Sequence, residues 1–524
     1  MTFLNLKGRN LVHAITFMCS VSFLLFGYDN GVMSGLITSE QFFQVFPALD
    51  GNTKLQGTVT SLLAIGCCLG AIFTFLVGDN IGRRKCVMLG SIIVCIGVVI
   101  QTSSFSVAQM IVGRIVTGFG IGILTSTTPV YQSECSKAIH RGHDVAVELS
   151  TLIIGIAIAY WIDYGFAYLS GSIAWRFPLG FQLVFIVILL LLSVYLPESP
   201  RWLLQHDLIE EGGEIIAMLR GLDVDDELVI TERNEILTAI QMEVSNQRNW
   251  RRLFMNDEVH SRTRLVVSCL ASIFQQICGT NALTYYSTVI YEQNVGLSRN
   301  MSLLMGGFLQ IWFLIASIFT WYLIDMVGRR KLFVTAYLGE AVCMAVLGAM
   351  VHVGGRTAGI IAAIATFLFQ GFYTWGSMAN YWVYPAELLS LQTRTKGAAF
   401  ATAINWIFAF LVVQITPIGA ASIGYKLYVM FAVICAFIAV FSYIFFPETA
   451  NFSLESVDVL FADLEDKGIV SSLLVAVQRS KKARKLVKGH GEIDLQKGRQ
   501  TEKLDVEHDE FVVENVIASD EKTA

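Results

Sequence analysis

Four carboxylates stand inside long apolar runs of this 524-residue chain, Asp29, Glu148, Asp163 and Glu340, and each needs a physical reason to be there. A charge in hydrocarbon is expensive, so such a group is paired, protonated or wetted. The other eight acids outside residues 197–262 and 447–524 are more ordinary: Glu40, Asp50 and Glu292 end apolar runs, Asp144 is in a loop, and Asp79, Glu134, Asp325 and Glu387 lie beside basic clusters. Asp29 is the most informative. If its run ends near Gly35, it lies on the order of 9 Å below that end, and Arg114, entering from the same side, lies at on the order of 10 Å, taking about 1.5 Å per residue. A carboxylate level with a guanidinium has a proton affinity that depends on whether the partner stays close. The pair is therefore either a proton switch or a static tie between two helices. A second cluster is neutral: Gln275, Gln276 and Asn281 can share one face over two helical turns. Amides both donate and accept, which suits a hydroxyl-rich ligand and equally suits hydrogen bonding between helices. The polar segments hold no phosphate loop, metal-ligand spacing or nucleophile constellation, so neither an enzyme nor a resident cofactor or metal is expected.

The elements that must position these groups are apolar. The chain is 54% hydrophobic and 15% charged, against roughly 45–50% and about 25% in an ordinary soluble domain. Residues 197–262 and 447–524 hold 48 of its 79 charges and leave 31 for all the rest, as expected of a membrane body with two wet segments. Runs long enough to cross a hydrocarbon core fall near 11–35, 57–78, 86–105, 107–130, 145–168 and 175–196, and near 264–291, 301–325, 331–351, 357–385, 397–417 and 425–446. The expected fold is thus all-α, with 12 transmembrane helices in two six-helix halves. The domains are a 1–10 amino-terminal segment, a first half over 11–196, a helical linker over 197–262, a second half over 263–446, and a 447–524 tail largely disordered after about 465. Arg83, Arg84, Lys85, Lys137, Arg141, Arg329, Arg330, Lys331, Arg394 and Lys396 all belong to loops on one side. By the positive-inside rule that side, both termini and the linker are cytoplasmic. The ten cysteines lie mostly in apolar runs and read as small hydrophobes. A net charge of -5 argues against nucleic acid. The basic tail cluster Arg479, Lys481, Lys482, Arg484, Lys485 and Lys488 reads either as a solvated run or as a contact for anionic lipid.

An internal repeat orders the halves. Asp79-Asn80-Ile81-Gly82-Arg83-Arg84-Lys85 recurs as Asp325-Met326-Val327-Gly328-Arg329-Arg330-Lys331. Glu134 and Arg141 recur as Glu387 and Arg394, and Pro197-Glu198-Ser199 as Pro447-Glu448-Thr449. Parallel halves of this kind imply a cleft between them and alternating access by rocking.

These repeats, with FGYDNGVMSG at 26–35, GRIVTGFGIG at 113–122, PVYQSE at 129–134, PESPRWL at 197–203, QQICGTN at 275–281, YPAE at 384–387 and PETANFSLE at 447–455, resemble the sugar porter family of the major facilitator superfamily over roughly residues 15–462. YWIDYG at 160–165 and AWRFP at 174–178 look most like its fungal branch, which includes glycerol and proton symporters.

The resemblance implies a major facilitator fold and a role for each group. Asp29 and Arg114 become the proton-coupling pair. Gln275, Gln276 and Asn281 become the sugar site, with Trp382 stacking on a ring face and Asn405 hydrogen-bonding. The set Arg83, Glu134, Arg141 and Glu198, repeated as Arg329, Glu387, Arg394 and Glu448, reads as a salt-bridge network closing the inner gate, or as a solvated rim that only sets topology. Three departures from the hexose carriers matter: Leu149 replaces a usual Gln beside Glu148, Phe313 replaces an Asn, and Ser377-Met378-Ala379-Asn380 replaces a glycine and proline run. A smaller, drier pocket favours a small polyol, with Glu148 a possible solute contact. The expectation is a monomeric, proton-coupled symporter of the plasma membrane importing a monosaccharide or a polyol such as glycerol; a uniporter and a non-transporting nutrient sensor are the alternatives.

Overall fold

The computed structural model describes residues 6–136, 141–246, 253–255, 257, 260–390, 393–450, 457, 460–461 and 468–494. It contains twelve spans long and apolar enough to cross a membrane. In the first half these are α1 (Arg9–Leu36), α2 (Thr53–Ile81), α3 (Arg83–Thr102), α4 (Val107–Cys135), α5 (Arg141–Phe166) and α6 (Ile173–Tyr195). The connecting segment carries α7 (Ile209–Arg220) and α8 (Glu227–Asn246), whose Ile216, Ala217 and Val229 close a small core with Leu204. In the second half, the first span is broken into α9 (Ser261–Ile277) and α10 (Thr280–Val289), followed by α11 (Arg299–Val327) and α12 (Arg329–Val353). The next is α13 (Arg356–Phe372), a π-helical turn over Tyr373–Met378 and α14 (Ala379–Leu388); α15 (Arg394–Ile423) and α16 (Lys426–Phe445) complete the set. Among the described residues no strand occurs.

Polar caps and glycines set the helix ends. Asn52 accepts from the Leu55 N–H at the start of α2, and Ser106 from the Gln109 N–H at the start of α4. Gly82 separates α2 from α3 at φ 98°, and a Cβ there would stand 2.6 Å from Glu198 Oε2, so the turn and the carboxylate beneath it both require glycine. Its repeat, Gly328, turns α11 into α12 at φ 93°.

Glycine also lets helices meet backbone to backbone, which drives association where lipid is as apolar as the protein. Along α1, Gly27, Gly31 and Gly35 face Leu152, Ile156 with Ala159, and Asp163 of α5, one contact per turn on each helix. The outward faces are apolar, with Ile96, Leu191, Val342, Val433 and Phe437 exposed where lipid would lie.

Two features depart from the sequence reading. Spans seven and ten, continuous by hydropathy, are irregular: Gly279 breaks the first at φ 95°, and the π turn interrupts the second. Hydropathy averages over about twenty residues and cannot register one positive φ. The tail, expected to be largely disordered after about 465, carries α17 (Ile469–Asp494), while 495–524 lie outside the described residues. Leu473, Ala476 and Val477 of α17 are buried against the bundle, and the Ser480 hydroxyl accepts from the Glu448 N–H at 3.2 Å. The basic cluster drew attention to charge and hid the short apolar stripe just before it.

Gly31→Val should destabilise the bundle by about 1–3 kcal/mol through overpacking, since a Cβ there already meets Ala159 and Ile156 at 2.9 Å. Gly165→Ala, with nothing within 4 Å, should be neutral. Thermal unfolding of the two purified variants checks the difference.

Candidate functional site

The two halves are closed together at one end and apart at the other. At the end away from the basic loops, Ser34 of α1 meets Thr288 of α10 at 3.1 Å, and the Tyr285 hydroxyl of α10 donates to the side-chain Oδ1 of Asn30 on α1. The Tyr160 hydroxyl of α5 donates to the Thr284 carbonyl at 2.6 Å, and Ser61 of α2 donates to Gln414 of α15 at 2.8 Å. The short helix α10 thus makes most of the seal. At the basic end a cavity of about 1740 Å³ runs between the halves, walled by Cys68, Thr125 and Ser133 on one side and by Ser272, Trp382 and Ala403 on the other. This is a state open at the basic end only.

Asp29 and Arg114 meet as the sequence places them. Both are fully buried, and one guanidinium nitrogen, Nη1, lies 3.1 Å from each carboxylate oxygen. The other, Nη2, reaches the Thr60 carbonyl at 3.4 Å, so the cation ties α1 to both α4 and α2. Neither residue lines the basic-end cavity. Asn30, next in the chain, holds the sealing helix through Tyr285. The ion pair and the seal therefore share one turn of α1.

The amides also come together, in a more connected way than spacing suggests. Gln275 Nε2 donates to the Tyr373 hydroxyl at 2.6 Å, and Asn405 Nδ2 donates to Gln275 Oε1 at 2.9 Å. Gln276 Nε2 donates to Asn405 Oδ1 at 2.9 Å, and Asn281 Nδ2 to Gln276 Oε1 at 2.5 Å. The result is one chain from the π turn, through α9 and α15, to α10 across the Gly279 break. It gathers donors and acceptors that a hydroxylated molecule could exchange for its own, although in this state none of the four amides lines the basic-end cavity. Trp382 is on the cavity wall, packed on Tyr381 at 5.1 Å. Trp406, which the sequence reading does not single out, also lines the cavity and packs edge-on against Phe26 of α1 at 5.5 Å. Its only sequence signal is its place one residue after Asn405. Glu148 is buried on α5 but does not line the cavity, so in this state it makes no part of that wall.

The basic-end clusters form twice, once in each half. Arg83 holds Glu134 by two bonds, 3.0 and 3.1 Å, and Glu198 accepts the Arg83 and Arg84 N–H groups at 2.8 and 3.0 Å. Arg329 holds Glu387 at 2.9 Å, and Glu448 accepts the Arg329 N–H at 2.8 Å. Ser199 donates to Glu134 and Thr449 to Glu387, while Tyr131 and Tyr384 donate to the Pro197 and Pro447 carbonyls. These hydroxyl partners recur with the repeats, Ser199 with Thr449 and Tyr131 with Tyr384, and the motifs alone assign them no role. Burial pushes the Glu387 carboxyl above its usual range and Arg329 draws it back. Every one of these pairs lies within one half, so in this state they brace the two rims rather than bridge them. The side chains of Arg141 and Arg394 lie outside the described residues.

The family described as "Sugar (and other) transporter" matches residues 15–461. The chain belongs to that family. Within this sugar transporter family, the chain is 38% identical over 474 residues to the sugar transporter STL1 of Saccharomyces cerevisiae, covering 88% of this chain and 83% of that one. It is also 38% identical over 464 residues to the MFS-type transporter oryC of Aspergillus oryzae, covering 87% and 86%. The proton:xylose symporter XylE from E. coli, solved with 6-bromo-6-deoxy-D-glucose, superposes with a TM-score of 0.71 at 23% identity, covering 86% of this chain and 98% of that one; at that identity the likeness shows the fold. The fold is that of the major facilitator superfamily, and the chain is a multi-pass membrane transporter.

Ser34→Cys/Thr288→Cys should cross-link the sealed end, where the native hydroxyls are 3.1 Å apart. Oxidation is expected to abolish transport and reductant to restore it. Unchanged transport by fully cross-linked protein would show that this end does not open.

Proposed function

We propose that the protein is a proton-coupled symporter that imports a monosaccharide or a small polyol such as glycerol by alternating access, with the basic end cytoplasmic and the protein in the plasma membrane. The observation that carries the coupling is the fully buried Asp29–Arg114 pair, sealed from the cavity in this inward-facing state. When the opposite end opens, the pair is reached from outside. A proton on Asp29 removes the charge that Arg114 answers, loosening α1 from α4. Because Asn30 holds α10, that loosening and the closure of the outer seal are movements of the same turn. The name of STL1, sugar transporter, and the description of XylE as a proton:xylose symporter agree with this reading.

The solute site is the amide chain Gln275, Gln276, Asn281 and Asn405, with Trp382 and Trp406 contributed from the cavity wall. With no solute the amides satisfy one another, so binding exchanges hydrogen bonds rather than creating them, and net affinity stays modest. Phe313, buried against Tyr373 at 6.2 Å, occupies volume next to Gln275 and favours a small solute. Glu148 is a solute contact only in a state where α5 turns it toward the cleft. The sets Arg83, Glu134, Arg141 and Glu198, and Arg329, Glu387, Arg394 and Glu448, act at the inner gate. Their pairs within each half keep the rims rigid, and in the outward-facing state the rims close on one another. The linker and the tail then lie in the cytoplasm.

Uptake of radiolabelled glucose, xylose and glycerol by cells lacking their own carriers tests this directly. Accumulation of one of these above equilibrium, lost with a protonophore, is expected; uptake that only equilibrates and ignores the protonophore would make the protein a uniporter. Asn405→Ala and Gln276→Ala should each raise KM by roughly 2- to 10-fold, the range of one net hydrogen bond.

A further inference from the structure

Glu340 of α12 has no part in that cycle, and its surroundings are unusual. It is fully buried. The Ser377 hydroxyl donates to its Oε1 at 2.5 Å, and Cys435 Sγ lies 4.0 Å from Oε2 and 3.4 Å from the Cys278 carbonyl. The titratable groups facing it are Cys278 from the end of α9, Cys435 from α16, Tyr373 from the π turn, and Tyr337 and Cys343 from α12 itself. None carries a positive charge, and among the described residues Glu340 makes no ion pair.

Its place in the repeat is informative. The repeats recur at offsets of 246 to 253 residues, which carry Asp29 into 275–282, the stretch around the Gly279 break. Glu340, beside Cys278, therefore stands against the second half's counterpart of the Asp29 stretch, with a hydroxyl and a thiol where Asp29 has a guanidinium. It is also clamped between the two irregular segments of the half. Ser377 shares the π turn with Tyr373, which accepts from Gln275, and Cys278 adjoins the Gly279 break, across which Asn281 reaches Gln276.

We propose that Glu340 is a second proton-binding site, whose occupancy sets the geometry of the amide chain through Ser377 and Tyr373 on one side and through the Cys278–Gly279 break on the other. This rests on reading that chain as the solute site. A carboxylate placed here has no counter-charge, so losing the proton requires water to enter or a neighbouring segment to move. The segments free to move are the π turn and the break, and either movement re-aims the amides.

The test uses the full chain in lipid nanodiscs with Asp29→Asn, so that the first carboxyl is silent, titrated over roughly pH 3.5 to 10, a range spanning the ordinary glutamate value of about 4.3 and raised ones. Infrared difference spectra should show a carboxylic acid C=O band that fades as pH rises and is missing when Glu340→Gln is added. Fluorescence of the cavity tryptophans should change with the same midpoint, and Ser377→Ala should shift both. A Glu340-dependent band, taken as the difference from Glu340→Gln, that persists across the whole range overturns the proposal, as does a fluorescence titration identical with and without Glu340. If Glu340→Gln fails to fold, midpoints unmoved by Ser377→Ala overturn it as well. Neither readout involves a solute, so failure of the transport reading, seen as uptake indifferent to the proton gradient, remains a separate result.

Discussion

A carboxylate and a guanidinium, both removed from solvent and 3.1 Å apart, set the terms for the first half of this transporter. Each alone would be prohibitive in a dry helix bundle, and together they are tolerated because each answers the other. Removing one partner from such a pair typically costs about 3–5 kcal/mol, which is comparable with the whole stability of many domains. A proton is the one small cation that can take the place of Arg114 at Asp29 without needing space. Thr60 and Asn30 extend the pair to α2 and to the sealing helix α10, so a change at one carboxyl reaches the contact between halves within a single helical turn.

The repeat makes the division of labour plain. At the basic rim the halves are near copies: an arginine holding a glutamate, a second glutamate gathering backbone N–H groups, a hydroxyl and a tyrosine completing each cluster. In the middle of the bundle the symmetry ends. The first half keeps span one continuous and loads it with charge, whereas the second breaks span seven at Gly279, winds a π turn into span ten, and fills the space with neutral amides. The continuous half holds the buried ion pair, and the irregular half holds the neutral amides, with Glu340 behind them.

Much of this was legible in the residues. Twelve apolar runs, the repeated basic motifs and the level depths of Asp29 and Arg114 follow from periodicity and the cost of buried charge, and these constraints leave few alternatives. What was not legible depends on contacts between distant segments. That Gln275, Gln276, Asn281 and Asn405 hydrogen-bond one another, that Trp406 lines the cavity, and that Ser199 and Thr449 complete the rims are facts of packing. The break at Gly279 and the π turn are single-residue events inside runs whose average hydropathy is unremarkable. The tail helix is masked in sequence by the charge that follows its apolar stripe, and Glu148, an acid beside a substituted position, is buried and does not line the cavity in this state.

Solute-driven proton movement in proteoliposomes, followed with a trapped pH dye at zero membrane potential, bears most directly on the role of Asp29. Wild-type protein given an inward solute gradient should acidify the lumen, whereas Asp29→Asn should exchange labelled solute across the membrane with no accompanying proton flux. Proton flux preserved in Asp29→Asn would contradict the assignment and leave the buried pair as a structural tie between α1 and α4.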